Sequence, residues 1–333
     1  MGALTPAGGQ AVSSPEERLE EIDTLSQANR GHRDPELERR LVRLRHLVGL
    51  QLLDEAPASP EFASPDFDAL PGSNPPEITP ADLSPELVRA AILRHGCVLV
   101  RGLVDRDEAL HLAAEIDRAF ETRAELAEGG AAPDGFYEPF TPEPPYRIVE
   151  RGWVEVAGGV LAMDSPKLLY EMLETFDRAR LPELVGGYLG ERPAISGQKC
   201  TLRKADPEVA GAWHQDGKFL ENVRSLNLWL SLSRCGDESP GLDIVPRRID
   251  HVLDAGTEDT IFPIQVPDRL VEEWAGDLGV QRPIFEPGDA MLFDELFLHR
   301  TGSDRDMPKP RYAIESWFFG PSAFPNDYVP LAA

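Results

Sequence analysis

Apolar residues recur every three or four positions in the first half of the chain and every two in the second. Leu37, Leu41, Leu44, Val48 and Leu52 recur among Arg and Glu over residues 34–53. That spacing predicts an amphipathic helix docked on a larger body. Residues 1–33 before it are small, polar and charged and read as mobile. Residues 54–83 are rich in Pro, Ser and Asp and read as a linker or wrapping loop. The boundary is therefore expected between an N-terminal extension, residues 1–83, and a main domain, residues 84–333.

Ser84-Pro85-Glu86 supplies an N-cap and a Pro at the first helical position. Leu87, Val88, Ala91 and Ile92 give that helix its stripe, and Gly96 ends it. A strand over 97–101 follows. Asp105-Arg106-Asp107-Glu108 resembles a capping box and opens a helix with Leu110, Ala113, Ile116 and Phe120 inward. Residues 128–146 are Gly/Pro-rich with Phe136, Tyr137 and Phe140, a long irregular segment of the kind that forms lids or surface loops. Ser165-Pro166 opens another helix, burying Leu168, Leu169, Met172, Leu173 and Phe176.

From about residue 193 the period becomes two. In the run 225–233, Leu226, Leu228, Leu230 and Leu232 share one face, and Ser225, Asn227, Trp229, Ser231 and Ser233 the other. The leucine face is expected to pack on helices or a second sheet, and the polar face with its Trp to line a cavity. Further strands are expected near 241–246, 281–285, 289–294 and 311–319. Helices followed by many short strands predict an α+β chain with a β-sandwich or barrel core.

Charge narrows the function. Lys and Arg number 33 against 58 Asp and Glu, a formal net charge of −25. So acidic a chain repels nucleic acid and anionic membranes, which leaves a small molecule as the expected partner. Cys97, Cys200 and Cys235 are odd in number and widely spaced, so no disulfide frame is expected. The first residues carry no signal-peptide pattern, and no apolar run approaches a membrane span, so the expected location is cytoplasmic.

Candidate chemistry centres on Trp213-His214-Gln215-Asp216-Gly217. Residues two apart in an extended segment point the same way, so His214 and Asp216 can hold one metal ion together. His299 is the candidate third ligand, with Thr301 two residues beyond it and Arg311 heading the next strand. Two imidazoles and a carboxylate form the facial triad of non-haem Fe(II) oxygenases, leaving adjacent positions open. A nearby Arg offers a planar fork for a carboxylate. The other histidines, His32, His46, His95, His111 and His251, read as solvated or core residues, and Arg203-Lys204 and Arg247-Arg248 as solvated or ion-paired.

Over residues 96–319 the chain resembles the phytanoyl-CoA hydroxylase family of Fe(II)/2-oxoglutarate dioxygenases. The resemblance rests on Trp213-His214-Gln215-Asp216, the strand with Asn227 and Trp229, Gly241-Leu242-Asp243-Ile244-Val245-Pro246, Pro287-Gly288-Asp289 through His299-Arg300-Thr301-Gly302, and Arg311. It implies a double-stranded β-helix, a cupin-like jelly roll, with flanking helices. His214, Asp216 and His299 would be the metal ligands, and Arg311 would bind the far carboxylate of 2-oxoglutarate with help from Thr301. Gln198, Gln215 and Trp229 would be further cosubstrate-pocket candidates. The implied cofactors are Fe(II), 2-oxoglutarate and O2, and the implied reaction is hydroxylation of a small molecule with release of succinate and CO2. Asp216 stands where related halogenases carry a small residue, which favours C–H oxidation. The family's Pro-Gly-Ser-His is replaced after Pro246 by Arg247-Arg248-Ile249-Asp250-His251, a change expected to bear on the substrate. Two other functions fit the same constellation: a cupin-like metalloenzyme without 2-oxoglutarate, and a non-catalytic jelly-roll binding protein.

Overall fold

The computed structural model describes residues 14–130, 134–149, 151–208, 211–220 and 223–333. Its helices are α1 (Pro15–Gly31), α2 (Pro35–Asp54), α3 (Pro85–His95), α4 (Arg106–Ala127), α5 (Arg151–Val156), α6 (Pro166–Arg178), α7 (Leu181–Leu189) and α8 (Asp268–Ala275). Its strands are β1 (Glu77–Ile78), β2 (Cys97–Val100), β3 (Gly159–Leu161), β4 (Ala194–Ser196), β5 (Thr201–Ala205), β6 (Ser225–Ser231), β7 (Gly241–Ile244), β8 (Ala290–Phe293), β9 (His299–Gly302), β10 (Arg311–Phe319) and β11 (Pro330–Ala332).

The stretch expected to be mobile contains α1, with residues 1–13 outside the described residues. Ser14 and Glu17 form a capping box around Pro15, so the helix start is locally encoded. A thin stripe of Leu19, Ile22 and Leu25 then packs with Leu41, Leu44 and Val48 of α2. The expected linker also carries structure: β1 pairs in parallel with β2. The segment 134–146 wraps the helices. Glu138 N donates to Asp164 O, Lys167 N to Gly135 O and Glu143 N to His46 on α2. In α4 the inward residues are Leu112, Ala113 and Ile116, while Leu110 faces outward. Gly187 brings α7 against α3: a Cβ there would lie 2.6 Å from the Pro85 ring.

Two sheets face each other across an apolar interior. The larger runs β1-β2-β8-β6-β10-β4-β11, with β5 on β10 and β3 on β5; the smaller pairs β7 with β9. Strand alternation divides the larger sheet's side chains. Leu226, Leu228 and Leu230 of β6 and Ile314 and Phe318 of β10 join the helix-side core with residues of α3, α4, α6 and α7. Each such buried side chain contributes roughly 1.5–3 kcal/mol. Trp229, Ala313, Met291, Phe293 and Leu99 point the other way and meet Leu242 and Ile244 of β7. This is a jelly roll with helices on one face, an α+β architecture. The strand expected near 281–285 forms only isolated bridges, Ile244 with Gln281 and Cys235 with Phe285. Pro283 between them has no N–H for a ladder. Among the described residues no helix is long and apolar enough to cross a membrane.

Candidate metal centre

The expected metal ligands converge. Ligand atoms of His214, Asp216 and His299 all lie within 4.8 Å of one another. The backbone brings this about. His214 N donates to His299 O at 3.0 Å and His299 N to His214 O at 3.1 Å. The two rings then lie side by side, centroids 4.5 Å apart. Gln215 is extended, so Asp216 returns to the side of His214, with Oδ1 3.6 Å from His214 Nε2.

Hydrogen bonds select which atoms face the centre. His214 Nδ1 lies 2.8 Å from Ala212 O and His299 Nδ1 3.0 Å from Phe297 O. A carbonyl only accepts, so each Nδ1 carries the proton and each Nε2 is left as a lone-pair ligand. Asn227 Nδ2 donates to Asp216 Oδ2 at 2.7 Å, leaving Oδ1 directed to the histidines. Burial pushes His214 below the ordinary imidazole range, and burial with the neighbouring His214 pushes His299 to about 3. Burial drives the Asp216 carboxyl well upward. Neutral imidazoles suit a metal, and a cation beside Asp216 would reverse the effect of its burial. Phe293 and Phe297 flank the His299 ring at 4.9 and 5.8 Å.

Arg311 enters the same interior from β10 and is 2 % exposed. Its Nη1 donates to Gly241 O at 3.3 Å and its guanidinium lies 5.3 Å from the centre of the Trp229 ring. Arg311 Nε and Trp229 Nε1 are buried without hydrogen-bond partners among the described residues. Two unpartnered donors thus lie close together on the inward side of β10 and β6, next to the small side chain of Ala313. A carboxylate is the group such donors fit.

The remaining candidates divide. Thr301 is on β9, two residues from His299, and its backbone carbonyl accepts from Gly211 N at 3.1 Å. Gln198 is buried with its Oε1 accepting from Val329 N at 2.9 Å, which ties it to the C-terminal segment. Gln215 is a correction. Its Nε2 donates to His251 O and Leu296 O, and its Oε1 accepts from Leu253 N at 2.7 Å. It alternates with the two candidate ligands, His214 and Asp216, and so turns away from the centre to hold the loop after Pro246. The two basic pairs are spent in ion pairs: Arg247 with Asp277, Arg248 with Asp294, Arg203 with Glu315 and Lys204 with Asp117. Sequence reasoning did not single out Asn227 or Glu315 as site residues. Both lie on the inward alternation of their strands, which was the available signal.

No family model matches the chain, and no curated protein matches it. Solved structures do. A structure of EctD from S. alaskensis with 2-oxoglutarate and 5-hydroxyectoine is 18% identical, over 81% of this chain and 86% of that one, with a TM-score of 0.52. The epimerase SnoN in complex with Fe3+, alpha ketoglutarate and nogalamycin RO is 18% identical over 71% and 83%, with a TM-score of 0.47. AviO1 from Streptomyces viridochromogenes Tue57 is 18% identical over 73% and 98%, with a TM-score of 0.44. The likeness to EctD shows that this chain shares its jelly-roll fold.

Proposed function

We propose that the protein is a non-haem Fe(II)/2-oxoglutarate-dependent dioxygenase that hydroxylates a C–H bond of a small molecule. The observation that carries the reading is the joint presence, in one interior, of a His214–Asp216–His299 cup and the buried donors of Arg311 and Trp229. Their order along the chain is that of the phytanoyl-CoA hydroxylase family. The EctD structure that shares the fold holds 2-oxoglutarate and a small molecule, which supports the same cosubstrate here.

The donor set fits Fe(II): two neutral Nε2 atoms and one carboxylate oxygen on one side of a cavity. When bound, Fe(II) with 2-oxoglutarate and O2 supplies the oxidant for an unactivated C–H bond, and succinate and CO2 leave. The chain's own residues do the rest. Ala212 O and Phe297 O hold the protons on Nδ1 and so keep both rings in the ligating tautomer. Asn227 orients Asp216. Arg311 receives the far carboxylate of the cosubstrate, assisted by Thr301 on β9 of the facing sheet, while Trp229 Nε1 offers a further donor. Phe293, Phe297 and Trp229 exclude water from the centre. Asp216 occupies the position that a halide would need, so the reading is hydroxylation.

Anaerobic titration of Fe(II)-loaded protein with 2-oxoglutarate tests this through the weak visible charge-transfer band of the chelate. A band in the wild type, lost in Arg311→Ala and His299→Ala, is the expected result. Bound metal without a band would sink the reading in favour of a metalloenzyme independent of 2-oxoglutarate.

A further inference from the structure

The inward face of β10 carries Arg311, Ala313, Glu315 and Trp317 in succession. Register places each against the neighbours. Trp317 lies opposite Asn227, the residue that orients Asp216; Glu315 lies opposite Trp229 on β6 and Thr201 on β5. Glu315 therefore sits between the Arg311 guanidinium and the metal cup. Its charge acts on His214, Asp216 and His299 alike. It is not itself one of the clustered ligand groups.

The two oxygens of this carboxylate are treated unequally. Oε2 accepts from Thr201 Oγ1 at 3.0 Å and from Arg203 Nε at 2.9 Å. Arg203 is fixed in turn by its Nη1 bond to Ala157 O at 2.8 Å. Oε1 accepts no hydrogen bond among the described residues and lies 3.9 Å from Arg311 Nη2. A carboxylate that served only to brace Arg203 and Thr201 would need no free oxygen inside the barrel. Yet the Glu315 side chain keeps 23% exposure, so the protein does not seal it completely. Burial opposes its ionisation, but Arg203 and then Arg311 outweigh that and hold the carboxyl below its ordinary range.

Cosubstrate binding changes this balance, a step that rests on the reading above. A dicarboxylate whose far end takes the Arg311 fork neutralises the cation facing Oε1. Glu315 is then an ionised, oriented carboxylate with one acceptor open and one compensating Arg on the other oxygen. Such a group attracts a cationic donor, because a hydrogen bond from a cation to its open oxygen is charge-assisted and stronger than a neutral one. Beyond it, Trp317 stacks on Phe219 with centroids 5.7 Å apart and planes 15° apart, an apolar surface for the rest of a ligand. The Lys199 ammonium, 4.8 Å from the centre of the Phe219 ring, bounds that surface.

We propose that Glu315 Oε1 anchors a protonated amine of the primary substrate beside the metal cup and selects against carboxylates. Glu315 is on this view a substrate-binding residue, and Arg203 positions it.

The test uses three probes of similar shape: 2-phenylethylammonium, 2-phenylethanol and 3-phenylpropanoate. Each is titrated calorimetrically, without oxygen, into full-length protein loaded with Fe(II) and 2-oxoglutarate. The ammonium is expected to bind about tenfold or more tighter than the alcohol, and the carboxylate weakest. In Glu315→Gln the ammonium preference should vanish while the charge-transfer band is kept. The proposal is overturned if the band forms and the probes bind alike, if the carboxylate binds best, if no ammonium binding is seen at high millimolar concentration, or if Glu315→Gln keeps the preference. Absence of the band in the wild type would count against the dioxygenase reading alone. The same titration on metal-free protein then decides the role of Glu315: an ammonium preference lost in Glu315→Gln upholds it, and its absence overturns it.

Discussion

His214 and His299 exchange two backbone hydrogen bonds, N to O at 3.0 and 3.1 Å, across segments far apart in sequence. Ring placement is thus set by strand pairing, as a cross-strand pair, rather than by an ion. Metal should therefore stabilise the fold by binding a preformed cup. At a free Fe(II) or Mn(II) concentration about a hundredfold above Kd the gain is about 2.7 kcal/mol. Thermal melts with and without Mn(II) check this. The metal-induced shift should disappear in His299→Ala; a shift of full size in that variant would remove His299 from the ligand set.

Asn227 makes a second prediction. Its Nδ2 holds Asp216 Oδ2 at 2.7 Å and is fully buried. Loss of a hydrogen bond that orients a ligand costs about 10–100-fold in metal affinity. Asn227→Ala should weaken Fe(II) or Mn(II) by that factor in a chelator competition, with the fold retained. An unchanged affinity would show that Asp216 is oriented by something else.

The parts of this arrangement legible in the sequence are those whose chemistry demands a residue type at a fixed spacing. His214 and Asp216 are two apart because an extended Gln215 returns the chain to one side, and Arg311 opens a strand whose alternation is plain. Partners distant in sequence left no local trace. Arg203 reads as half of a basic dipeptide, and only pairing of β5 with β10 reveals Glu315 beside it. Gln215 reads as a pocket residue because its neighbours do, although period two sends it the opposite way. Polar composition hid α1, whose apolar stripe is narrow and whose cap is the stronger signal. The helix α7 was obscured by Gly186-Gly187, where close packing against Pro85 outweighs low helix propensity.

Arg311 and Trp229 are expected to act on cosubstrate and not on metal. Arg311→Ala removes a charged donor, and Trp229→Phe removes Nε1 while keeping an aromatic ring beside the guanidinium. A charge-assisted bond contributes about 1.5–3 kcal/mol and a neutral one about 1 kcal/mol. The 2-oxoglutarate Kd, read from the charge-transfer band, should rise at least about tenfold in Arg311→Ala and several-fold in Trp229→Phe. Mn(II) affinity in the absence of cosubstrate should stay level in both. A fall in metal affinity alone would reverse the roles assigned to these side chains.

Gln215 is predicted to matter for stability. Its amide nitrogen serves two carbonyls, His251 O and Leu296 O, and its oxygen serves Leu253 N. Gln215→Glu keeps the shape but sets carboxylate oxygen against two carbonyl oxygens in a buried place. The expected cost is on the order of 3 kcal/mol, read as a fall in denaturation midpoint with an unchanged m-value. If Gln215→Glu folds as well as the wild type but binds 2-oxoglutarate poorly, the side chain faces the cosubstrate after all.

His46 on α2 makes the last prediction, away from the metal. Its Nδ1 donates to Pro330 O at 2.9 Å and its Nε2 accepts from Glu143 N at 3.0 Å. Phe140 and Tyr146 meet its ring edge-on at 5.7 and 6.1 Å. One neutral imidazole thus bolts α2 to the wrapping segment and to the C-terminal strand β11. Burial holds its pKa below the ordinary 6.5. The sign follows. Well above pH 6.5 the ring is neutral in both folded and unfolded chains, so it contributes no pH dependence. As pH falls below about 6.5 the unfolded chain takes up a proton that the folded chain refuses, and stability drops. Between about pH 7.5 and 5.5 this ring accounts for at most about 1.4 kcal/mol. Denaturant unfolding at both values, on wild type and His46→Gln with saturating metal to hold His214 and His299 neutral, isolates it. The pH dependence should be shallower in the variant, and amides of β11 should lose protection at the lower pH in the wild type, measured as exchange relative to the intrinsic rate at the same pH. Equal slopes in the two proteins would mean that His46 accepts its proton without leaving the fold.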